Sequence, residues 1–201
     1  MSTAAIPIAD PDTALMIRVQ GNDAESFGVL LQRHRTVVVR YLTRLVSNQG
    51  VAEELAQDVF LRVYRSRERY EPAAKFSTWL YRITTNVALN YFRDSKGAQK
   101  QLSLDVEEGL EVRRQARDQG VLIEDRLVRE AVAERVRHAI RCLPTNQRAA
   151  VIMHKYEDMN YAEIAGVLRC SPAAVKALMF RAYETLRMRL QPLQESQPIA
   201  N

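Results

Sequence analysis

Arg82, Asn86, Asn90 and Arg93 recur at the spacing of one face of an α-helix, with the aromatic Tyr81 and Phe92 beside them. Arginine pairs with phosphates, an Asn amide offers both a donor and an acceptor to a base edge, and aromatic rings stack on unpaired bases. Such a stripe suits single-stranded or opened DNA. The competing reading is a solvated polar face on a core helix. Against it, Arg62, Arg65, Arg67, Arg69 and Lys75 lie just upstream, interleaved with Tyr64 and Tyr70.

The element that must carry this stripe is written in the same residues. Phe76, Trp79, Leu80, Ile83 and Val87 form an apolar stripe, which predicts a helix over 76–93 with that side buried. Pro72 keeps the preceding 70–75 segment out of a helix, and Ser77 is the expected N-cap.

Upstream, Asp12 is expected to cap a short helix carrying Leu15, Met16 and Val19, which Gly21-Asn22 ends. Asp23 caps a longer one with Phe27, Leu30, Leu31, His34, Val38, Tyr41, Leu42 and Leu45 inward, His34 at the core edge, stopped by 47–50. A third, over 51–67, buries Leu55, Val59 and Val63 and leaves an acidic face with Glu54, Asp58 and Leu61, beside Glu53, Gln57 and Phe60. That face is either plain solvated surface or a docking surface for a basic partner helix.

The pattern fails over 94–124, where Gly97, Gly109 and Gly120 punctuate a charged stretch. It reads as a linker with a transient helix near 106–117. Beyond it, Val128, Val132, Val136, Ile140 and Leu143 form a helical stripe closed by Pro144, and a helix over 148–156 follows. Asn160-Tyr161-Ala162-Glu163 fits a capping box, opening a short helix with Ile164, Ala165, Val167 and Leu168. After Arg169-Cys170, Ser171 caps a last helix with Pro172 at its first position, where the missing N–H costs nothing. Two capped helices around a tight turn make a helix-turn-helix. Its second helix faces Val175, Leu178, Met179, Ala182 and Leu186 inward and presents Ala173, Ala174, Lys176, Ala177, Phe180 and Arg181 outward, small residues and cations suited to the major groove.

The 201-residue chain carries a net charge of +5, which favours a polyanionic partner, and 47% hydrophobic residues, which argues against disorder. No basic start with a long apolar run opens the sequence and no stretch approaches a membrane span, so a cytoplasmic protein without membrane insertion is expected. Cys142 and Cys170 lie far apart with no metal-ligand spacing, so buried free thiols and no metal are expected. Without a P-loop, nucleophile elbow, zinc-protease motif or dinucleotide turn, neither an enzyme nor a cofactor is expected.

In order, then, the chain reads as an all-α protein: two small helical domains joined by a flexible linker, the second a helix-turn-helix (winged-helix-like) DNA-binding domain. The segments AEELAQDVFLRVYR at 52–65, FSTWLYRITTNVALNYFR at 76–93 and YAEIAGVLRCSPAAVKALMFRA at 161–182, with a linker between, resemble the extracytoplasmic-function (ECF) sigma factors of the sigma-70 family. The resemblance covers about 12–190. It implies a flexible N-terminus over 1–11, sigma region 2 over 12–94, a linker over 95–124, sigma region 4 over 125–190 and a flexible tail over 191–201.

The resemblance further implies partners: core RNA polymerase through its β′ clamp helices and β flap, promoter DNA, and an anti-sigma factor. Core-polymerase binding falls on Glu54, Leu55, Gln57, Asp58 and Phe60. Contact with the −10 element falls on Tyr70, Lys75, Arg82, Asn86, Asn90 and Arg93, with Phe76 and Trp79 holding the 70–78 loop in shape. Contact with the −35 element falls on Ser171, Pro172, Ala173, Ala174, Lys176 and Arg181. The sequence departs from its relatives at Arg169, where Gly is common, and at Asn90, where Asp is common. A repressor or activator acting without polymerase is the main alternative, predicting a dimer on a palindrome. A sigma-mimicking interaction module is another, predicting no DNA binding with core enzyme.

Overall fold

The computed structural model describes residues 10–101 and 123–191. Its regular elements are helices: α1 (Pro11–Gln20), α2 (Ala24–Val46), α3 (Gln49–Arg65), a 3-10 turn at Arg67–Arg69, α4 (Phe76–Gln101), α5 (Ile123–Arg141), α6 (Thr145–Tyr156), α7 (Tyr161–Leu168) and α8 (Pro172–Leu190). No strand, and hence no wing beside the helix-turn-helix, occurs among the described residues. The proposed transient helix at 106–117 lies outside them, as do 1–9 and 192–201.

Two sets of helices result. In the first, α2 packs along α1, α3 and α4; in the second, α8 packs against α5, α6 and α7. The sets meet where α7 lies on α4 and α6 on α2. Apolar side chains line both sets without a break, from Met16, Tyr41, Leu42 and Leu80 to Ile152, Met153, Ile164 and Met179, all fully buried. At about 1.5–3 kcal/mol for each large apolar side chain taken out of water, this burial is the main favourable term in the fold.

The ends of the helices are set by caps, and one of them is not local. Asp10, not Asp12, caps α1: its carboxylate accepts from the Asp12 amide at 3.3 Å and the Thr13 hydroxyl at 2.7 Å, with Pro11 in the first turn. The same carboxylate accepts from the Phe76 amide at 3.0 Å, so α4 starts without the expected Ser77 cap. Asp12 is thereby free to bind Arg33 at 2.7 Å and His34 at 2.8 Å. His34 sits at the core edge, as its spacing suggested, its ring 5.2 Å from that of Phe76.

Several boundaries differ from the sequence pattern. α3 begins at Gln49 because the Asn48 side chain accepts from the Val51 amide at 3.1 Å, which draws Gly50 into the first turn. α6 begins at Thr145, directly after Pro144. α4 runs past Arg93 to Gln101, into the stretch read as linker, where Lys, Ala and Gln favour helix. Val132 is exposed while Val136, Ile140 and Leu143 further along the same stripe pack into the core, and Cys142, expected to be buried, is exposed just beyond the last turn of α5.

The helix-turn-helix forms as its capping residues predict. Asn160 accepts from the amides of Ala162 at 2.9 Å and Glu163 at 3.0 Å while Glu163 accepts from the Asn160 amide at 3.0 Å, and Ser171 accepts from the Ala174 amide at 3.1 Å. Between the helices, Arg169 adopts the left-handed region at φ 52°. A side chain there costs roughly 1–2 kcal/mol that glycine avoids, offset in part by glycine's freer unfolded chain.

Arg169→Gly is therefore expected to raise stability by about 0.5–1 kcal/mol in urea denaturation; a loss would show that the Arg side chain makes a compensating contact. Asp10→Ala should cost about 1–2 kcal/mol, since it uncaps α1 and leaves the Phe76 amide without its acceptor. Burial pushes the Asp10 carboxyl up, but hydrogen bonds from Phe76, Thr13 and Asp12 outweigh it and hold its pKa below the ordinary carboxylate value. Its contribution is thus complete at neutral pH and is lost as pH falls through that lowered pKa. Native and variant stabilities should converge only in acid.

Candidate nucleic-acid interface

α4 divides its circumference between two tasks. Phe76, Leu80, Val87 and Ala88 are buried, as are Thr84 and Thr85. The two threonines escape an apolar-spacing argument because each finds a partner: Thr84 donates to the Leu80 carbonyl at 2.9 Å, and Thr85 lies 2.9 Å from the Tyr41 hydroxyl. On the other side Asn86 and Arg93 are exposed, and Arg82 and Asn90 half-buried. The polar stripe anticipated from the spacing exists, with amides and guanidinium groups reaching solvent on one face.

Tyr70 does not belong to that face. Only 3% exposed, it places its ring 5.0 Å from Trp79 and 6.2 Å from Phe76, and its hydroxyl lies 3.2 Å from that of Thr13. Gln20 donates to its carbonyl at 2.8 Å. Tyr70 is a core pillar because the loop it opens must be fastened between α1 and α4. Phe76 and Trp79 are buried beneath the loop, while residues 71–75 are exposed.

The neighbours of the stripe include residues of the second helical set. Lys75 Nζ lies 3.1 Å from a Glu163 oxygen. Tyr81 donates to Glu157 Oε2 at 2.5 Å and packs edge-on against Tyr41 at 5.1 Å. Burial raises its phenol pKa and the Glu157 hydrogen bond raises it further, so Tyr81 is a neutral donor. Arg148 lies over the Phe92 ring at 5.3 Å, and its guanidinium donates to the carbonyls of Leu45 at 2.8 Å, Leu143 at 3.3 Å and Arg141.

Glu157 is the centre of this junction. Its side chain is 3% exposed, with Arg44 at 3.4 Å, Arg40 at 3.9 Å and the Tyr81 hydroxyl around it. Neither Glu157 nor Arg148 stands out in the sequence, because the contacts that tie them to α2, Glu157 to Arg44 and Arg148 to the Leu45 carbonyl, each span more than a hundred residues. The only local signal is for Glu163, marked by its capping box.

On α3, Glu54 and Gln57 are exposed, Asp58 holds Arg62 at 2.9 Å, and Leu55 is half-buried. Phe60 is 6% exposed: with Ala52, Ala56, Val59 and Val63 it forms the buried stripe, so it cannot be part of an outward surface. The apolar group on the acidic face is Leu61, 53% exposed. On α8, Ser171, Pro172, Ala173, Lys176 and Arg181 are exposed and Ala174 half-buried, while Val175, Met179 and Ala182 anchor the helix. Among the described residues no cluster of acidic, His and Cys side chains could hold a metal, and no helix is long and apolar enough to cross a membrane.

Two family models match the chain. Residues 30–97 match the Sigma-70 region 2 family and residues 133–186 the Sigma-70, region 4 family. The chain is 30% identical to the ECF RNA polymerase sigma-E factor of Haemophilus influenzae over 90% of its own length and 96% of the relative's. It is 29% identical to the ECF RNA polymerase sigma factor SigW of Bacillus subtilis, over 88% and 95% respectively. Its fold is similar to that of CnrH, solved in complex with the cytosolic domain of CnrY, at a TM-score of 0.65 and 21% identity over 91% of this chain and 99% of that one. It is also similar to RpoE from Bartonella quintana, solved with the anti-sigma factor NepR, at 0.63 and 19% over 83% and 98%. Two matched regions in order on one chain, and relatives aligned almost end to end, place the protein in the ECF branch of the sigma-70 family.

Proposed function

We propose that this alternative sigma factor docks on core RNA polymerase through the acidic face of α3, reads and opens the −10 element with α4, and binds the −35 element with α8. The observation that carries this reading is the outward α8 face: Pro172, Ala173, Lys176 and Arg181 are exposed at and beyond the capped helix start, on a chain that also presents Asn86 and Arg93 from α4. A helix start with small side chains admits close approach to base edges, and flanking cations meet phosphates. On α4, Asn amides and guanidinium groups suit a strand whose bases have been separated.

Core docking falls to Glu54, Leu55, Gln57 and Asp58, with Leu61 supplying the apolar contact in place of Phe60. The −10 contacts fall to Lys75, Arg82, Asn86, Asn90 and Arg93, with Tyr70 shaping the loop from within. The protein acts in the cytoplasm as an initiation factor without chemistry of its own. An anti-sigma factor, such as the one solved with the Bartonella quintana relative, would regulate it by covering the α4 and α8 faces.

Transcription with purified core RNA polymerase on fragmented genomic DNA, followed by mapping of RNA 5′ ends, tests the reading. Discrete starts sharing two upstream motifs are expected. No specific transcript together with no binding to core would favour the repressor alternative.

Asn86→Ala should reduce promoter opening about tenfold, the order of one lost base-edge contact, and leave affinity for core polymerase unchanged. Equal loss of both would place Asn86 outside DNA recognition. Lys176→Ala should weaken binding to duplex −35 DNA and lower the slope of log K against log salt by about 1, as when one phosphate contact is removed. An unaltered slope would move Lys176 off the phosphate backbone.

A further inference from the structure

Both ends of the exposed 71–75 loop are held by α1 and its cap. At the far end the Phe76 amide donates to Asp10 Oδ2 at 3.0 Å. At the near end the Tyr70 hydroxyl lies 3.2 Å from that of Thr13, and Gln20 donates to the Tyr70 carbonyl at 2.8 Å. A hydroxyl has a single proton to give, and Thr13 gives its own to Asp10 Oδ2 at 2.7 Å, so Tyr70 is the donor to Thr13. One carboxylate oxygen therefore receives both ends of the loop, Phe76 directly and Tyr70 through Thr13.

The other oxygen has a different task. Oδ1 accepts from the Asp12 amide at 3.3 Å and caps α1. A cap of this kind needs one acceptor, which Ser supplies as well as Asp, so capping by itself leaves Oδ2 without a reason. The loop between the two held ends takes no part in the core: residues 71–75 are exposed, with a turn bond from the Ala73 amide to the Glu71 carbonyl at 2.8 Å.

We propose that α1 is a clasp for this loop, and that Asp10, Thr13 and Gln20 are positioning residues for promoter opening. They touch no DNA; they hold the loop and the first turn of α4 in the path that a separated strand must meet. The proposal rests on the assignment of the loop and α4 to the −10 element. A loop ordered before DNA arrives spares the opening step the entropy loss of ordering it, and Lys75, next to the clasped Phe76 amide, is held at the loop's end.

Trp79, the chain's single tryptophan, reports the clasp from within: its ring is 9% exposed and lies 5.0 Å from Tyr70 and 5.9 Å from Phe76. Two variants of the full-length protein each release one end. Asp10→Ser keeps an acceptor for the α1 cap and removes Oδ2, whereas Gln20→Met keeps the side-chain length and removes the donor to Tyr70. Both should make Trp79 more accessible to acrylamide and shift its emission to longer wavelength, with far-ultraviolet circular dichroism unchanged as proof of folding. On a promoter fragment identified by the 5′-end mapping, both should lower −10 opening roughly tenfold, read by permanganate reactivity of thymines. Affinity for core polymerase should stay at the wild-type value.

Unchanged quenching and emission in both variants would overturn the clasp. Increased quenching with full promoter opening would overturn its positioning role, and a parallel loss of opening and core affinity would reduce it to plain stability. Failure of the wild type to give any specific transcript is a failure of the sigma-factor reading and removes the DNA role with it. The hold of α1 on the loop is decided separately, by Trp79 in the free protein.

Discussion

A carboxylate leaves water only if other groups replace its hydration shell, and Glu157 obliges three residues of the other helical set to do so. Removing such an ion from water costs several kcal/mol, so its partners restore what burial takes away rather than adding a large surplus. Their geometry is nonetheless demanding. Arg44 and Arg40 approach from α2 and the Tyr81 hydroxyl from α4, which fixes how the second set of helices sits on the first. Such an interaction sets orientation strongly and stability weakly.

The junction reaches back into the core of the first set. Tyr81 packs edge-on against the fully buried Tyr41, whose hydroxyl meets Thr85 one turn further along α4. That same helix presents Asn86 to solvent. Buried polar contacts on one side of α4 hold the helix in a single rotation, and the rotation determines which residues remain outside. The loop before it is fastened in the same way, by Asp10 at its end and Tyr70 at its start.

The second set follows the same logic with local means. The capping box at Asn160 and the Ser171 cap with Pro172 start both helices of the helix-turn-helix, and the left-handed Arg169 turns the chain between them. Val175, Met179 and Ala182 seat α8 so that its first turn projects outward. Regular caps with one strained residue position a surface whose side chains themselves take no part in packing.

The sequence by itself determined what depends on neighbours within a turn or two. Apolar spacing placed the helices, short-range capping residues marked Asp23, Asn160 and Ser171 as helix starts, and the spacing of Arg82, Asn86, Asn90 and Arg93 marked an outward stripe. Where a residue's partner lay far along the chain, spacing was silent or misleading. Tyr70 and Phe60 looked like surface groups but are buried, because aromatic rings at stripe edges go wherever long-range packing has room. Ser77 looked like a cap, yet Asp10 accepts from the start of α4 from sixty-six residues away. Only the tertiary structure decided that Glu157 and Arg148 tie the two halves together, since a charge's partner is chosen by three-dimensional proximity, which no local periodicity encodes.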